Sequence, residues 1–81
     1  MNADRIRGFI QTEILFEDDN VALTNETPLL DGVLDSLGLM QLVAFLEEEF
    51  EIEVQDEEVT VEHFRTIADI EDLVNSRVAQ R

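Results

Sequence analysis

Ser36 has the clearest chemical potential in this sequence, because it follows Asp35 at the start of a strongly helical pattern. Either Asp35 or Ser36 could cap this helix, and a serine that caps a helix needs no further function. As a nucleophile it needs an activating base and an oxyanion hole. The one histidine, His63, could reach it only through the fold, and Leu34 stands where a nucleophile elbow has glycine. As an attachment point Ser36 is well placed, since a phosphodiester at a helix N-terminus meets free amides and partial positive charge.

The helix that follows Ser36 has a second face that could bind a partner. This face comprises Leu37, Met40, Gln41, Ala44 and Glu48, which lie opposite the apolar stripe and span about 100° around the helix. It begins apolar and ends in the acidic run 47–49. An apolar patch rimmed by acids is typical of a docking surface. The pattern fits equally an alternative in which the preceding loop covers Leu37 and Met40.

Neither thiol chemistry nor a specific metal site is indicated. The chain has no cysteine, which excludes disulfides, a thiolate metal site and any thiol chemistry by the chain itself. His63 has no second ligand at metal-site spacing. The acidic stretch 18–20 lacks the glycine that an EF-hand loop requires, so we expect only weak, nonspecific binding of divalent cations.

The charge and length of the chain exclude several classes of function. The net charge is −15, from twenty acids and five arginines, and residues 8–64 hold sixteen acids and no Lys or Arg. Such a surface disfavours nucleic acid and anionic membranes and favours either simple solubility or basic partners. Eighty-one residues allow one domain, and 44% hydrophobic residues are too many for a disordered acidic tail. Because no export signal or membrane-length apolar run is present, we expect a cytoplasmic protein. We also expect the protein to be a monomer.

Hydrophobic periodicity predicts an all-α fold with three main helices and one short helix. The predicted helices cover residues 4–16, 36–50, 60–64 and 66–78. The apolar stripe of the first helix contains Ile6, Phe9, Ile10 and Ile14. The core face of the second helix contains Leu39, Leu42, Val43, Leu46 and Phe50. The predicted stripe of the last helix contains Ile67, Ile70, Leu73, Val74 and Val78.

Two connections are predicted to pack inward. The connection 17–35 is long for a compact domain, and its apolar residues are expected to cover the core. These residues are Val21, Leu23, Leu29, Leu30, Val33 and Leu34, with a turn expected at Asp31-Gly32. Residues 51–54 alternate like a strand but have no second strand to pair with, so we predict an extended connection with Ile52 and Val54 inside.

Three stretches of the chain resemble acyl and peptidyl carrier proteins. Residues 29–39, LLDGVLDSLGL, and residues 42–50, LVAFLEEEF, resemble the Asp-Ser-Leu signature and recognition helix of that family. Residues 64–70, FRTIADI, resemble the end of its third helix and the start of its fourth. The resemblance extends over residues 6–78. The three-residue motif is weakly specific alone, but its combination with this length, acidity and helix pattern is specific.

The resemblance implies a single four-helix carrier domain over residues 1–81 that is not an enzyme. By this resemblance, Ser36 bears 4′-phosphopantetheine, which a phosphopantetheinyl transferase takes from coenzyme A, and the cargo travels as a thioester. Asp35 would help bind the transferase. Further partners would be an acyl- or aminoacyl-loading ligase and downstream transferase or condensing enzymes. They would contact Leu37, Met40, Gln41, Ala44, Glu47 and Glu48, while Val61 and Phe64 would either assist docking or pack.

Departures from the family pattern narrow the type of carrier. Fatty-acid-synthesis carriers usually have acids at the positions of Gly38 and Gln41. We therefore expect a discrete aminoacyl carrier, the D-alanyl type included, or a specialised acyl carrier of a biosynthetic pathway. Two alternatives stay open: a noncovalent acidic module that binds a basic partner through the second helix, and, more distantly, a hydrolase that uses Ser36 and His63.

Overall fold

Helices carry the whole fold of the computed structural model, which describes residues 2–15 and 23–79. The elements are α1 (Asn2–Phe9), a π-helical turn that extends it (Ile10–Ile14), α2 (Ser36–Phe50), a 3₁₀ turn (Asp56–Glu58), α3 (Val61–Phe64) and α4 (Ile67–Ala79). No strand occurs within the described ranges. The predicted all-α four-helix bundle is therefore confirmed.

The core is formed by side chains from all four helices and from the loop before α2. Helices α1 and α3 both pack on α4. The largest fully buried side chains are Ile6, Ile10, Leu29, Leu42, Leu46, Phe64, Ile67, Ile70 and Val74. The stripes predicted for the first, second and last helices supply most of this core, as a bundle with one apolar face per helix requires.

The first helix differs from its prediction in its start and in its winding. It begins at Asn2, two residues early, because Glu71 of α4 accepts a hydrogen bond from the amide of Ala3 at 2.8 Å. One of the amides that a helix start leaves without a partner is thereby satisfied. From Ile10 the winding is π-helical, closed by the amide of Leu15 donating to the carbonyl of Ile10 at 2.9 Å. The predicted end at Phe16 lies outside the described residues.

The last helix follows its prediction except at its final turn. The hydroxyl of Thr66 accepts from the amide of Asp69 at 3.2 Å and donates to its carboxylate at 3.0 Å, which confirms the predicted start. Val78 was predicted in the buried stripe but is 38% exposed. It lies one turn beyond Val74, where the buried stripe ends.

The loop before α2 is fixed by backbone hydrogen bonds to the start of α4. The amide of Leu29 donates to the carbonyl of Arg65 at 2.8 Å, and the amide of Ala68 donates to the carbonyl of Asn25 at 3.0 Å. The guanidinium of Arg7 also donates to the side-chain oxygen of Asn25 at 3.1 Å. These contacts tie the loop to both α1 and α4, and thereby set where α2 begins.

The inward packing predicted for this loop is confirmed for its described part. Leu29 and Leu34 are buried, and Leu23, Leu30 and Val33 pack against the core. Gly32 has a φ of +110°, which marks the predicted turn and favours glycine. Val21 and the acidic stretch 18–20 lie outside the described residues.

The segment after α2 is extended, as predicted. It also contains a short helical turn that was not predicted. Glu51 ends α2 in the left-handed region, with φ 53° and ψ 48°. Ile52 is half-buried and Val54 is buried. A 3₁₀ turn then begins with a reciprocal capping box between Gln55 and Glu58. Its three acidic residues show no hydrophobic period, so periodicity could not find it.

Candidate functional site

Ser36 is the first residue of α2, and Asp35 caps the helix. The backbone of Asp35 is extended, and its carboxylate accepts a hydrogen bond from the amide of Gly38 at 2.7 Å. The carbonyl of Asp35 accepts from the amide of Leu39 at 2.8 Å. The sequence left the capping role between Asp35 and Ser36, and the structure gives it to Asp35. The exposed hydroxyl of Ser36 has no hydrogen-bond partner among the described residues.

Gly38 packs closely against this cap. It is buried, and a Cβ atom at this position would lie 3.2 Å from the capping oxygen of Asp35. That contact is tight, so the carboxylate would have to shift by a few tenths of an ångström. The same Cβ atom would lie 3.6 Å from side-chain carbons of Ile14 and Leu34, which is ordinary van der Waals contact.

The face of α2 next to Ser36 is open. Leu37 is 65% exposed and Met40 is 70% exposed. The alternative in which the preceding loop covers these two side chains is therefore wrong. Gln41, Ala44 and Glu48 are exposed on the same helix. Five of the predicted docking residues thus reach solvent.

Glu47 has a structural contact that the sequence did not predict. Its carboxylate accepts a hydrogen bond from the amide of Val54 at 3.0 Å, and its carbonyl accepts from the amide of Ile52 at 3.2 Å. The side chain is half-buried. Glu47 therefore holds the segment that follows α2 against that helix, and only part of it is available to a partner.

Two shallow grooves lie beside the exposed face. One of about 260 Å³ runs along the first turns of α2 and contains Val33, Leu37 and Gln41. The other, of about 290 Å³, contains Met40 and Val43 of α2 and Val59 beyond the 3₁₀ turn. Both are open to solvent and enclose no ligand. The first lies next to Ser36, beside Asp35 and Leu37, and the second lies further along α2.

The structure gives no support to a catalytic pair of Ser36 and His63. His63 is half-buried on α3, and its amide donates to the hydroxyl of Thr60 at 3.4 Å. No hydrogen bond joins it to Ser36 in the described part of the chain. On the same short helix Phe64 is fully buried, so it packs, while Val61 is 59% exposed. Within residues 2–15 and 23–79 no cluster of metal-ligating side chains is found.

The start of α2 fits a phosphate ester. The hydroxyl of Ser36 is accessible, and Asp35 occupies the amide of Gly38 but not those of Ser36 and Leu37. Amides in the first turn of a helix have no acceptor within the helix, and the helix dipole favours an anion there.

Fold and site together define a small helical bundle that offers one exposed serine beside an apolar patch. The family model described as "Phosphopantetheine attachment site" (PP-binding) matches residues 4–74, most of the chain. The chain belongs to this phosphopantetheine-binding family, as the sequence resemblance predicted.

Relatives of the chain agree with this assignment. It is 32% identical over 68 residues to an acyl carrier protein of Clostridium perfringens, covering 83% of this chain and 84% of the relative. It is 44% identical over 45 residues to an acyl carrier protein of Thermosynechococcus vestitus, covering 56% and 53%. A solved chain described as "Crystal structure of FAD-dependent dehydrogenase" superimposes with a TM-score of 0.77 at 32% identity, over 85% of this chain and 97% of that chain.

Family membership establishes what the chain does in general terms. It is a carrier of acyl groups that depends on phosphopantetheine, and it is not a catalyst. Carriers of this family work with phosphopantetheinyl transferases and with enzymes that handle acyl groups. Within the described ranges, no helix combines the length and the apolar character needed to cross a bilayer.

Proposed function

We propose that Ser36 is the residue that bears the phosphopantetheine arm. The observation that carries this proposal is the exposed hydroxyl of Ser36 at the first position of α2, which has no hydrogen-bond partner in residues 2–15 and 23–79. Ser76, the other serine of the chain, lies within α4, where it has no helix N-terminus beside it. The bound arm would supply the thiol on which cargo is held as a thioester.

The modification requires an accessible oxygen and a place for the new phosphodiester. The Ser36 oxygen attacks the phosphorus that bears the pantetheine in coenzyme A. The bond from that phosphorus to the bridging oxygen breaks, 3′,5′-adenosine bisphosphate leaves, and the serine proton passes to a base of the transferase. The free amides of Ser36 and Leu37 would then face the phosphodiester. Asp35 would hold the helix start in place and present a negative charge to the transferase.

Partner enzymes are proposed to dock on the exposed face of α2. Leu37 and Met40 would enter apolar recesses, while Gln41 and Ala44 allow close approach. Glu48, and the exposed part of Glu47, would meet basic residues. A partner would therefore need an apolar surface near Ser36 and a basic one further along the helix.

The cargo is proposed to be an aminoacyl or a specialised acyl group of a biosynthetic pathway. Support comes from Gly38 and Gln41, which leave the first two turns of α2 without the acids usual in fatty-acid-synthesis carriers. An acyl- or aminoacyl-loading ligase would load the arm, and a downstream transferase or condensing enzyme would receive the cargo.

A flavoenzyme is a second proposed partner. The solved chain that matches at 32% identity comes from a structure described as an FAD-dependent dehydrogenase. By analogy, cargo held on the arm would be oxidised there: it would lose a hydride to FAD and a proton to a base of the enzyme. The carrier would contribute only the presentation of the thioester.

Intact-mass measurement tests the attachment residue. The protein is incubated with coenzyme A and a broad-range phosphopantetheinyl transferase. We expect the mass to rise by one phosphopantetheinyl group in the wild type and in Ser76→Ala, and to stay unchanged in Ser36→Ala. An unmodified wild type with several competent transferases would contradict the proposal and favour the noncovalent acidic module.

The cytoplasmic location, the monomer and a single domain over residues 1–81 stay predictions.

A further inference from the structure

The groove along the first turns of α2, of about 260 Å³, adjoins the proposed attachment point. Three parts of the chain form it: the end of the first helix, the turn before α2 and the first two turns of α2. Among its lining residues are Glu13, Ile14, Val33, Asp35, Leu37 and Gln41. Asp35 and Leu37 are the two neighbours of Ser36 in the chain, so a group attached to Ser36 begins at the rim of this groove.

Two polar side chains of this groove are free to bind a ligand. Glu13 and Gln41 are exposed, and neither forms a hydrogen bond or an ion pair with any of residues 2–15 and 23–79. The ionised carboxylate of Glu13 can only accept hydrogen bonds, whereas the amide of Gln41 can both donate and accept them. The groove therefore offers a neutral polar ligand an acceptor on one wall and a donor on the other.

Apolar side chains form the surface between these polar groups. Ile14 and Val33 pack against the core but are only half-buried, and Leu37 is 65% exposed. A ligand with methyl groups would remove part of this surface from water, which is favourable. The groove thus suits a small ligand that combines methyl groups with hydrogen-bonding groups.

We propose that this groove holds the pantoyl part of the phosphopantetheine arm, which is the part next to the phosphate. The proposal rests on the proposed attachment of the arm to Ser36. The paired methyl groups of the pantoyl part would lie against Val33 and Leu37. Its hydroxyl would donate a hydrogen bond to Glu13, and its amide carbonyl would accept one from Gln41.

The size of the groove and the tether together select this part of the arm. Cavities that enclose a drug-sized ligand measure about 300–1,000 Å³, so this groove takes only a portion of the arm. Because the arm begins at the rim, that portion is the first one. A tethered group also has a high effective concentration at a site beside its tether, so weak contacts are sufficient to hold it.

The other two grooves lie further from the start of the arm. In the groove of about 290 Å³, the carboxylate of Glu47 already accepts from the amide of Val54 and lies about 16 Å along α2 from Ser36. A third groove, of about 530 Å³, contains the rings of Phe9 and Phe45, which stack with their centroids 4.2 Å apart. Phe45 lies about 14 Å along α2 from Ser36.

An arm held beside Ser36 would cover part of the proposed docking face. Leu37 and Gln41 belong both to that face and to this groove. A partner enzyme that docks on the face would therefore displace the arm from the groove. The arm would become free at the enzyme that uses it.

Isotope-filtered NMR on the modified protein tests the proposal. The protein is uniformly isotope-labelled and the arm is transferred from unlabelled coenzyme A, so that contacts between arm and protein are detected selectively. We expect nuclear Overhauser effects from the paired methyl groups of the arm to the methyl groups of Val33 and Leu37. We also expect them from the pantoyl part to the side-chain amide of Gln41.

Matched variants test the polar contacts of the arm. Gln41→Ala and Glu13→Ala should each lower the ratio of held to free arm about two- to tenfold, because each removes one hydrogen bond to the arm. Glu48→Ala changes an exposed residue of the same helix outside this groove and should leave the ratio unchanged. All three side chains are exposed, so we expect none of these substitutions to unfold the domain.

The outcomes that would overturn the proposal are distinct from failure of the attachment. Contacts of the arm with Met40, Val43 and Val59 in the modified wild type would place the arm in the other groove. No contacts at all would show a free arm, and equal contacts in the wild type, Gln41→Ala and Glu13→Ala would remove the polar part of the site. A wild type whose intact mass does not rise would contradict attachment to Ser36, and with it this proposal.

Discussion

At the residue scale, two neighbouring residues at the start of α2 have separate roles: Asp35 caps the helix, and Ser36 presents its hydroxyl to solvent. Asp35 satisfies the amide of Gly38, so the hydroxyl of Ser36 is not needed for capping. A serine that had to cap the helix would have its oxygen occupied by a backbone amide. Glycine at position 38 leaves this contact uncrowded, since a Cβ atom there would lie 3.2 Å from the capping oxygen of Asp35.

A second residue-scale contact joins the segment after α2 to the last helix. Glu58 forms an ion pair with Arg77, and both side chains are mostly shielded from solvent. Hydrogen bonds from the Arg77 side chain and from the backbone of Gln55 hold the pKa of Glu58 below its ordinary value of 4.5. Folding therefore favours the ionised form of Glu58.

The sign of this pKa shift predicts a pH dependence of stability. The pKa of Glu58 is lowered on folding, so its ionised carboxylate stabilises the folded state above about pH 4.5. This stabilisation is lost as the pH falls through the pKa that Glu58 has in the folded state. Glu58→Gln should lower the free energy of unfolding at pH 7 by about 0.2–1 kcal/mol. The difference from wild type should shrink towards zero below the folded-state pKa. Urea unfolding of both proteins across this pH range measures it.

Glu57→Gln is the matched control for this prediction. It removes the same charge from an exposed neighbour on the same turn, and so reports the effect of net charge alone. A difference between wild type and Glu58→Gln that stays constant as the pH falls would contradict the role given to the ion pair.

At the element scale, α2 has two faces with different roles. One face stabilises the fold, and the other is exposed for recognition by partner proteins. Leu42 and Leu46 are completely buried on one side. Leu37 and Met40 are mostly exposed on the other, although they are equally apolar. The helix is anchored by the first pair, and the second pair is left for contacts with other proteins.

The two faces of α2 predict opposite effects of the same substitution. Leu42→Ala should lower the free energy of unfolding by about 2–5 kcal/mol, since it opens a cavity in the core. Leu37→Ala should change it by less than about 0.5 kcal/mol, but should slow modification by the transferase or transfer to partner enzymes. Chemical denaturation and transfer kinetics on both variants check this. Equal destabilisation by the two substitutions would show that the faces are assigned wrongly.

Most of the helices were predictable because their apolar residues recur with the helical period. The stripe of α2 and the cap at Asp35 are both local in sequence, and the structure has both. The π-helical turn at Ile10–Ile14 was not predictable, since its residues also fit an α-helical stripe. Val78 fitted the period as well, but its burial depends on where the bundle ends.

The candidate site was predictable in its position but not in all of its contacts. Ser36 and the exposed residues Leu37 and Met40 follow from the motif and the helical period. The hydrogen bond from the amide of Val54 to the carboxylate of Glu47 does not follow from them, because it forms only after the chain has turned back beyond α2. The stack of Phe9 on Phe45 joins two helices that are separated by the long loop, so no local pattern indicates it.

At the scale of the whole molecule, the excess of acidic residues acts against the fold. A net charge of −15 on a chain of this size makes the folded state repel itself. The three basic side chains with described ion pairs, Arg5, Arg7 and Arg77, lie in α1 and α4. The stretch 8–64 contains no lysine or arginine of its own, and the described ion pairs of Arg5 and Arg77 balance only two of its sixteen acids, Glu49 and Glu58.

Divalent cations should therefore stabilise the protein. Millimolar magnesium or calcium would screen the repulsion and bind the folded state weakly. A gain of about 1 kcal/mol would raise the Tm of a domain of this size by about 4–8 °C. A thermal melt followed by circular dichroism across a magnesium series measures this. A flat response would contradict the view that repulsion limits the stability of the fold.

The absence of cysteine allows the central claim to be tested by counting thiols. The chain has no sulfhydryl of its own, so a thiol found on the protein after incubation with coenzyme A and a transferase, once both have been removed, must belong to an attached arm. Titration with a chromogenic thiol reagent should give zero thiols for the unmodified protein and one for the modified wild type and Ser76→Ala. Ser36→Ala should give zero. No thiol in the treated wild type, or one thiol in Ser36→Ala, would contradict the account.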